Sequence, residues 1–205
     1  MSRIKIAVLI SGGGTNLQSL IDYKDLGGDI DLVVSNHKDA YGLVRAEKSG
    51  IESVYLDSKG KTNIEYDTEL LELFKDRGIK LVVLAGYLKI ITKVLIDEYA
   101  NKIINIHPSL IPSFCGNGYY GLRVHEAAIE YGVKFSGATT HFVNEETDGG
   151  PIIMQDVVEI SDDDTAESLQ KKVLDIEHRI LSESVRAFCE NRIEIVGRTV
   201  KIRRD

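Results

Sequence analysis

Short apolar runs alternate with amphipathic stretches through the first half of this chain, and this alternation restricts the fold more than any other feature. Runs such as AVLI and LVVLA are apolar at every successive position, so strands formed by them must be covered on both faces. The stretches between the runs have the spacing of helices with one apolar face. This order is typical of βαβ units. It predicts an α/β fold with a Rossmann-like, open, mostly parallel twisted sheet flanked by helices.

The same pattern gives the order of the elements. Strands are predicted over residues 5–10, 31–35, 53–56, 80–85 and 102–106, and helices over residues 15–23, 41–49, 64–77 and 92–99. Beyond Pro112 we predict a helix over residues 122–131 and two strands, 136–143 and 152–160, joined by the turn EETDGGP. A long helix follows, with Asp164 and Glu167 spaced as a capping box, and then a hairpin that turns at Gly197.

Length and composition restrict the class of protein. The 205 residues, 43% of them hydrophobic, are enough for one domain, and no repeat or linker divides them. The net charge of −7 argues against broad binding to nucleic acid or to anionic membranes. No apolar run approaches the roughly 18 residues of a membrane span. The first run, of about six residues, is shorter than a signal-peptide core. The two cysteines fit a reducing compartment, so we expect a cytoplasmic protein.

The segment SGGGTN joins the first predicted strand to the first helix. Gly12, Gly13 and Gly14 permit positive φ and allow a ligand to approach the backbone closely. A helix that starts at Thr15 or Asn16 leaves unpaired N–H groups that, with the helix dipole, favour a phosphate. The segment is neither a Walker A motif nor a GxGxxG fingerprint. We interpret it as a phosphate site; a tight turn without a ligand is the alternative.

Asn105 and His107 end the fifth predicted strand, in the segment INIHPSLIP. Residues two apart share a strand face, so both side chains point the same way at the carboxyl edge, where open α/β sheets bind ligands. Pro108 prevents a helix at this point. An amide donor beside an imidazole suits the oxyanion of a tetrahedral intermediate. Asp148, in the turn TDGG, is the carboxylate we expect beside His107, where it would favour the charged imidazole.

The local sequence pattern also allows simpler interpretations of His107 and Asp148. His107 also fits a satisfied structural histidine at the end of a strand, and Asp148 also fits an exposed turn. A metal site is a weaker interpretation, because His107, His125, His141 and Asp148 lack the compact spacing of metal ligands. We therefore expect no metal.

Four segments, in their order and spacing, resemble the phosphoribosylglycinamide formyltransferases of purine biosynthesis: VLISGGGTN, VVLAGYLKI, INIHPSLIPSF and HFVNEETDGGPII. The resemblance covers residues 5–188 and implies the formyltransferase fold. It implies transfer of a formyl group from 10-formyltetrahydrofolate to the amine of glycinamide ribonucleotide, by direct attack without a covalent enzyme intermediate. The partners it implies are these two small molecules, with no nucleic acid and no membrane. A homodimer is compatible with the sequence, which does not determine the oligomeric state.

The resemblance also implies a role for each matching residue. It divides the domain into a phosphate-binding half, about residues 1–100, and a folate-binding and catalytic half, about residues 101–205. The catalytic residues it implies are Asn105, His107 and Asp148. The substrate-binding residues it implies are Gly14, Thr15, Asn16, Pro108 and Glu177. The residues it implies for 10-formyltetrahydrofolate are Leu88, Lys89, Ile90, Ile91, Asn105, Asn144, Glu145, Glu146, Thr147 and Asp148.

Two of these assignments compete with simpler ones. Glu177 lies at the margin of the apolar stripe of the long helix, where its carboxylate would reach the cleft and hold the glycine ammonium. Without the resemblance we would interpret Glu177 as a solvated carboxylate and residues 88–91 as core. Many relatives carry an arginine where this chain has Asn63, and Lys61 is one candidate to replace it. Lys89 stands where an arginine is common, which keeps the charge and loses the bidentate fork.

Other functions remain to be weighed against the transferase. A methionyl-tRNA formyltransferase would be expected to carry a C-terminal nucleic-acid-binding domain, and the deformylase that hydrolyses the folate a regulatory domain before the core. A non-catalytic binding module would bind nucleotide or folate without transferring a formyl group. A nicotinamide-dependent oxidoreductase is disfavoured by the broken glycine fingerprint.

Overall fold

The computed structural model describes residues 3–203 of the protein. The strands are β1 (Ile4–Ile10), β2 (Gly28–Ser35), β3 (Glu52–Tyr55), β4 (Leu81–Leu84), β5 (Ile103–His107), β6 (Phe135–Phe142), β7 (Ile152–Glu159), β8 (Ile193–Val196) and β9 (Thr199–Ile202). The helices are α1 (Thr15–Asp22), α2 (Tyr41–Lys48), α3 (Asn63–Arg77), α4 (Lys93–Glu98), α5 (Leu122–Tyr131) and α6 (Ala166–Cys189). Each predicted strand and helix is present; the largest shift is at β2, which begins at Gly28 instead of residue 31.

These strands form one sheet in the order β3-β2-β1-β4-β5-β6-β7-β9-β8. The first five strands in this order run parallel to one another. β6 pairs antiparallel with β5 and with β7, as the turn between the two predicted strands requires. The hairpin of β8 and β9 joins the sheet through the parallel pair Ile152 and Thr199. The prediction of a mostly parallel sheet flanked by helices is therefore confirmed.

Both faces of β1 are buried. Ile6 and Val8 belong to a core cluster that also contains the apolar faces of α1 and α6. Ala7 and Leu9, which point the other way, belong to a second cluster with the apolar face of α3. This arrangement explains why the strand sequence is apolar at every position, because burial of apolar surface stabilises both faces.

The start of α6 differs from the prediction by one residue. Thr165 is the N-cap, and its hydroxyl accepts from the backbone N–H of Ser168 at 3.3 Å, while the Ser168 hydroxyl accepts from the Thr165 N–H at 2.9 Å. The capping box predicted for Asp164 and Glu167 is therefore wrong. The Asp164 carboxylate instead accepts from the backbone N–H of Ser161 at 2.8 Å and from the hydroxyl of Ser168 at 2.7 Å.

The sheet order brings three loops together. β1, β4 and β5 are neighbours, so the segments that follow them meet at one carboxyl edge. Because β6 is antiparallel to β5, the loop between β6 and β7 begins at the amino end of β5, and it folds back so that Asp148 lies beside His107. Among residues 3–203, none of the helices combines the length and the apolar composition that a bilayer crossing needs.

Candidate active site

The glycine loop between β1 and α1 is shaped by one of its three glycines. Gly14 has a left-handed φ of 70° and is the N-cap of α1, and a Cβ there would lie 2.7 Å from the Cα of Gly42. Gly12 and Gly13 also permit positive φ but do not adopt it. A Cβ at either of these would meet no atom within 4 Å, so a ligand can approach the backbone there. No side chain of the described residues caps α1, which leaves its first N–H groups available to an anion.

The first turn of α1 is bonded to the middle of α6. Asn16 Nδ2 donates to Glu177 Oε2 at 2.7 Å, and both side chains are buried. Burial raises the pKa of Glu177 to about 7, although the Asn16 hydrogen bond acts to lower it. The two predicted substrate-binding residues therefore lie together beside the glycine loop, with Thr15 exposed next to them. The interpretation of Glu177 as a solvated carboxylate is wrong.

Asn105 and His107 lie on β5 as predicted, and β6 adds a third polar group to them. His141 stands directly opposite Asn105 in the antiparallel register, and Asn105 Nδ2 lies 3.1 Å from His141 Nε2. His141 Nδ1 lies 2.9 Å from the carbonyl oxygen of Phe142. A neutral His141 that donates from Nδ1 presents Nε2 as an acceptor, which occupies one of the two Asn105 amide hydrogens. The second hydrogen is free to donate to a ligand.

Asp148 completes the cluster. Its carboxylate oxygens lie 3.5 Å from His107 Nδ1 and 3.6 Å from His141 Nε2, and one of them accepts from the backbone of Gly116 at 2.9 Å. The side chain is 9% exposed, so the interpretation of Asp148 as an exposed turn residue is wrong. Its backbone has a left-handed φ of 55°. The predicted approach of Asp148 to His107 is present, although sequence spacing alone did not establish it.

The pKa of His107 differs from the expectation that Asp148 would keep this imidazole charged. Burial lowers the pKa of His107, and the Asp148 carboxylate and the hydrogen bond to the Phe114 carbonyl oppose this only in part. The second ring nitrogen, Nε2, lies 2.9 Å from that carbonyl oxygen. The expectation that Asp148 keeps His107 charged is therefore wrong for the ligand-free protein, because desolvation outweighs the carboxylate.

The Asp148 carboxylate itself is held in its ionised form. Burial acts to raise the pKa of Asp148, but its interactions with His141, with His107 and with the backbone N–H of Gly116 lower it below its usual value. The cluster thus combines an ionised carboxylate, an amide and two imidazoles in a largely buried place. Pro108 follows directly at the end of β5 and is half-buried.

The segment after β4 forms an apolar surface. Leu88 and Ile90 are 60% and 59% exposed, while Ile91 is buried. The interpretation of residues 88–91 as ordinary core is therefore wrong for Leu88 and Ile90. Two exposed apolar side chains beside a polar cluster are typical of a wall that binds an apolar ligand.

Lys89 contacts Asn63, the position at which many relatives carry an arginine. Its Nζ donates to Asn63 Oδ1 at 3.0 Å and lies 4.9 Å from the centre of the Tyr66 ring. Lys61 instead forms an ion pair with Glu69 at 2.6 Å, so its candidacy to replace the family arginine is not supported. The cation of Lys89 is thus held over this part of the wall.

The loop that precedes Asp148 contains the other residues predicted to bind the folate. Asn144 Oδ1 accepts from the backbone of Glu146 at 3.1 Å, and Thr147 is exposed. Lys93 of α4 donates to Glu145 at 2.6 Å, which ties this loop to the helix that follows the apolar wall. Within residues 3–203, no three His, Cys, Asp or Glu side chains are grouped so that they could hold a metal ion.

The site residues missed by the sequence reasoning are ones that distant strands bring together. His141 entered that reasoning only as a weak metal candidate, yet it touches both Asn105 and Asp148. The signal that would have found it is the register of the β5–β6 pair, which places His141 opposite Asn105. Local patterns predict the two strands but not their alignment.

Residues 4–185 match the family described as formyl transferase. The phosphoribosylglycinamide formyltransferase of Haemophilus influenzae is 42% identical over 195 residues, which are 93% of this chain and 90% of that protein. The crystal structure of glycinamide ribonucleotide transformylase 1 from Symbiobacterium toebii superposes with a TM-score of 0.92 at 41% identity, covering 98% of this chain and 94% of that one. A formyltetrahydrofolate deformylase from Pseudomonas syringae superposes with a TM-score of 0.89 at 31% identity, covering 98% of this chain and 66% of the deformylase.

Proposed function

Because the chain belongs to the formyl transferase family, and within it to the phosphoribosylglycinamide formyltransferases, we propose that its cleft formylates the amine of phosphoribosylglycinamide, a step of purine biosynthesis. The co-substrate 10-formyltetrahydrofolate supplies the formyl carbon. The observation that carries the proposal is the cluster of Asn105, His107 and Asp148, which shares one edge of the sheet with an open glycine loop.

The glycine loop receives the nucleotide in this proposal. The phosphate accepts from the backbone at Gly14, Thr15 and Asn16, where α1 begins without a side-chain cap. Glu177 keeps one carboxylate oxygen on Asn16 and offers the other to the glycinamide amine. The pKa of Glu177 is raised to about 7, so its carboxylate is only partly ionised near neutral pH. A substrate ammonium favours the ionised carboxylate, so the nucleotide should bind best when Glu177 is deprotonated.

The folate fits between the two walls. Leu88 and Ile90 present apolar surface of the kind that a pterin or a benzoyl ring covers. Lys89 is placed to meet an anionic tail, and the loop from Asn144 to Asp148 closes the opposite side. Arginine would bind such a carboxylate in a bidentate manner, whereas Lys89 acts as a point charge.

The chemical step follows from the donors in the cluster. The amine attacks the formyl carbon, a C–N bond forms, and negative charge develops on the formyl oxygen. The free hydrogen of the Asn105 amide donates to this oxygen, and His107 Nε2 exchanges the Phe114 carbonyl for it. The substrate ammonium releases one proton to become the attacking amine, and His107 takes up that proton because the oxyanion favours a charged imidazole. Asp148, next to His107, stabilises that charge.

Collapse of the tetrahedral intermediate breaks the bond from the carbon to the folate nitrogen N10. The attacking nitrogen loses a second proton, N10 gains that proton, and His107 returns the first one to the solvent. Asp148 is the acceptor best placed to relay this proton through a water molecule, because its carboxylate is ionised and lies in the cluster. No side chain forms a covalent bond to the formyl group.

A pair of assays tests the function. The purified protein is given 10-formyltetrahydrofolate, and tetrahydrofolate is measured with and without phosphoribosylglycinamide. Folate product that needs the nucleotide, matched by formylated nucleotide, supports the transferase. Equal product without the nucleotide would indicate a hydrolase like the structurally similar deformylase. No product, with folate still bound in calorimetry, would indicate a binding module.

We also propose that one domain carries both halves of the site, and that its partners are the two small molecules without nucleic acid. The net charge of −7 supports the second point. The cytoplasmic location and the homodimer stay predictions. Cell fractionation checks the first of these, and light scattering of the purified protein checks the second.

A further inference from the structure

The C-terminal hairpin of β8 and β9 touches the loop that carries Asp148. The hairpin lies beyond residue 185, where the family match ends. Thr199 pairs with Ile152, the first residue of β7. In the turn of the hairpin, Arg198 Nη2 donates to the carbonyl oxygen of Gly149 at 2.9 Å. Gly149 immediately follows Asp148, so the hairpin holds the Gly149–Gly150 peptide group, one residue beyond the predicted catalytic carboxylate.

That peptide group lies in a tightly constrained segment. Asp148 has a φ of 55°, which is uncommon for a residue with a side chain and is kept only where the surroundings hold it. The Gly149 N–H donates to the Glu146 carbonyl at 2.9 Å. A Cβ at Gly150 would lie 1.7 Å from the Phe142 carbonyl oxygen, so the backbone there packs directly on β6. The Gly149 carbonyl is held from outside the loop, by Arg198.

We infer that Arg198 is a positioning residue for Asp148, which it holds through the Gly149 peptide group. The inference rests on the proposed function and assigns a part of the same site. Arg198 is not among the groups that shift the pKa of Asp148, which are His141, His107 and the Gly116 N–H. Its effect is therefore exerted on geometry. Loss of the bond leaves the loop free to sample conformations in which Asp148 is farther from both imidazoles.

The first test measures the loop and needs no activity. Amide hydrogen exchange of Gly149 is followed by NMR in the ligand-free wild type, in Arg198→Gln and in Lys201→Gln. Lys201 is exposed on the same hairpin, so its replacement removes the same charge without removing the bond to Gly149. Arg198 is exposed, so its bond is worth less than a buried one, and we expect exchange about 3- to 10-fold faster in Arg198→Gln alone.

The second test measures turnover in the same variants. We expect kcat to fall about 3- to 10-fold in Arg198→Gln, the KM for the nucleotide to stay unchanged, and Arg198→Lys to recover part of kcat. A merely structural role would change the thermal midpoint without this split between kcat and KM.

The outcomes separate cleanly. Unchanged exchange in Arg198→Gln, or the same change in Lys201→Gln, would overturn the inference. Faster exchange with unchanged kcat would also overturn it, because the loop would then move without consequence for Asp148. If the wild type transfers no formyl group, the proposed function fails, and the exchange experiment still decides whether Arg198 holds the loop.

Discussion

Replacement of Glu177 by glutamine should stabilise the protein at alkaline pH. The side chain is 8% exposed, and burial raises its pKa from 4.5 to about 7. Because the folded protein binds this proton more tightly than the unfolded chain does, the favourable contribution is complete below about pH 4.5 and is lost as the pH rises through about 7. A shift of about 2.5 pKa units corresponds to about 3 kcal/mol in the free energy of unfolding.

Glutamine keeps the features that do not titrate. Its side-chain oxygen can still accept from Asn16 Nδ2, and its volume is nearly that of glutamate. The variant should therefore exceed the wild type in the free energy of unfolding by about 3 kcal/mol at pH 8, and the excess should shrink towards zero by pH 5. Affinity for the nucleotide should fall at the same time, because the carboxylate that receives the amine is gone.

Urea unfolding at pH 5, 6, 7 and 8 measures this difference directly. Glu183→Gln, a more exposed position on the same helix α6, is the matched control, and its difference from the wild type should not grow with pH in this way. A Glu177→Gln variant with the same stability as the wild type at both pH 5 and pH 8 would refute the reasoning. It would mean that the buried carboxylate is as well solvated in the fold as in the unfolded chain.

Four further predictions concern the rest of the site. Asp148→Asn should lower kcat about 10- to 1000-fold and move the alkaline limb of the kcat–pH profile to lower pH, because the carboxylate raises the pKa of His107; an unchanged profile would contradict the pairing. Gly14→Ala should lower the free energy of unfolding by about 2–4 kcal/mol in chemical denaturation, through its φ and its contact with α2. Gly13→Ala should leave stability within about 0.5 kcal/mol and weaken nucleotide binding in calorimetry. Leu88→Ser should raise the KM for 10-formyltetrahydrofolate about 10-fold without changing the thermal midpoint, since the side chain is 60% exposed; an equal rise in the nucleotide KM would argue against the assigned wall.

Local periodicity carries the fold prediction. The first strand is apolar at every position because its side chains alternate between two core clusters. Ile6 and Val8 lie in one cluster, and Ala7 and Leu9 lie in the other. The period of two in a strand likewise suffices to predict that Asn105 and His107 share one face. Boundaries are less certain, as the N-cap of α6 shows. Asp164 and Thr165 are both good caps by composition, and the structure has Thr165 as the N-cap while the Asp164 carboxylate accepts from the backbone N–H of Ser161.

Contacts between distant segments lie beyond what local patterns predict. The register of β5 and β6 places His141 at Asn105, and no local pattern reports a register between strands separated by a helix and two loops. The predicted charge of His107 is wrong for a related reason, because the balance between burial and a carboxylate at 3.5 Å depends on how much of the ring is covered. The exposure of Leu88 and Ile90 is also not predicted by local patterns, because buried and exposed apolar residues look alike in a sequence.

Asn16 and Glu177 are 161 positions apart, and this separation has a consequence during synthesis on the ribosome. At about 5–20 residues per second, the partner of Asn16 emerges roughly 10–30 seconds after Asn16 itself. Throughout that interval α1 has no α6 to pack against, and the nucleotide subsite lacks its buried carboxylate. Nascent chains should therefore bind little of the nucleotide, and the apolar face of α1 stays uncovered by α6 until that helix emerges.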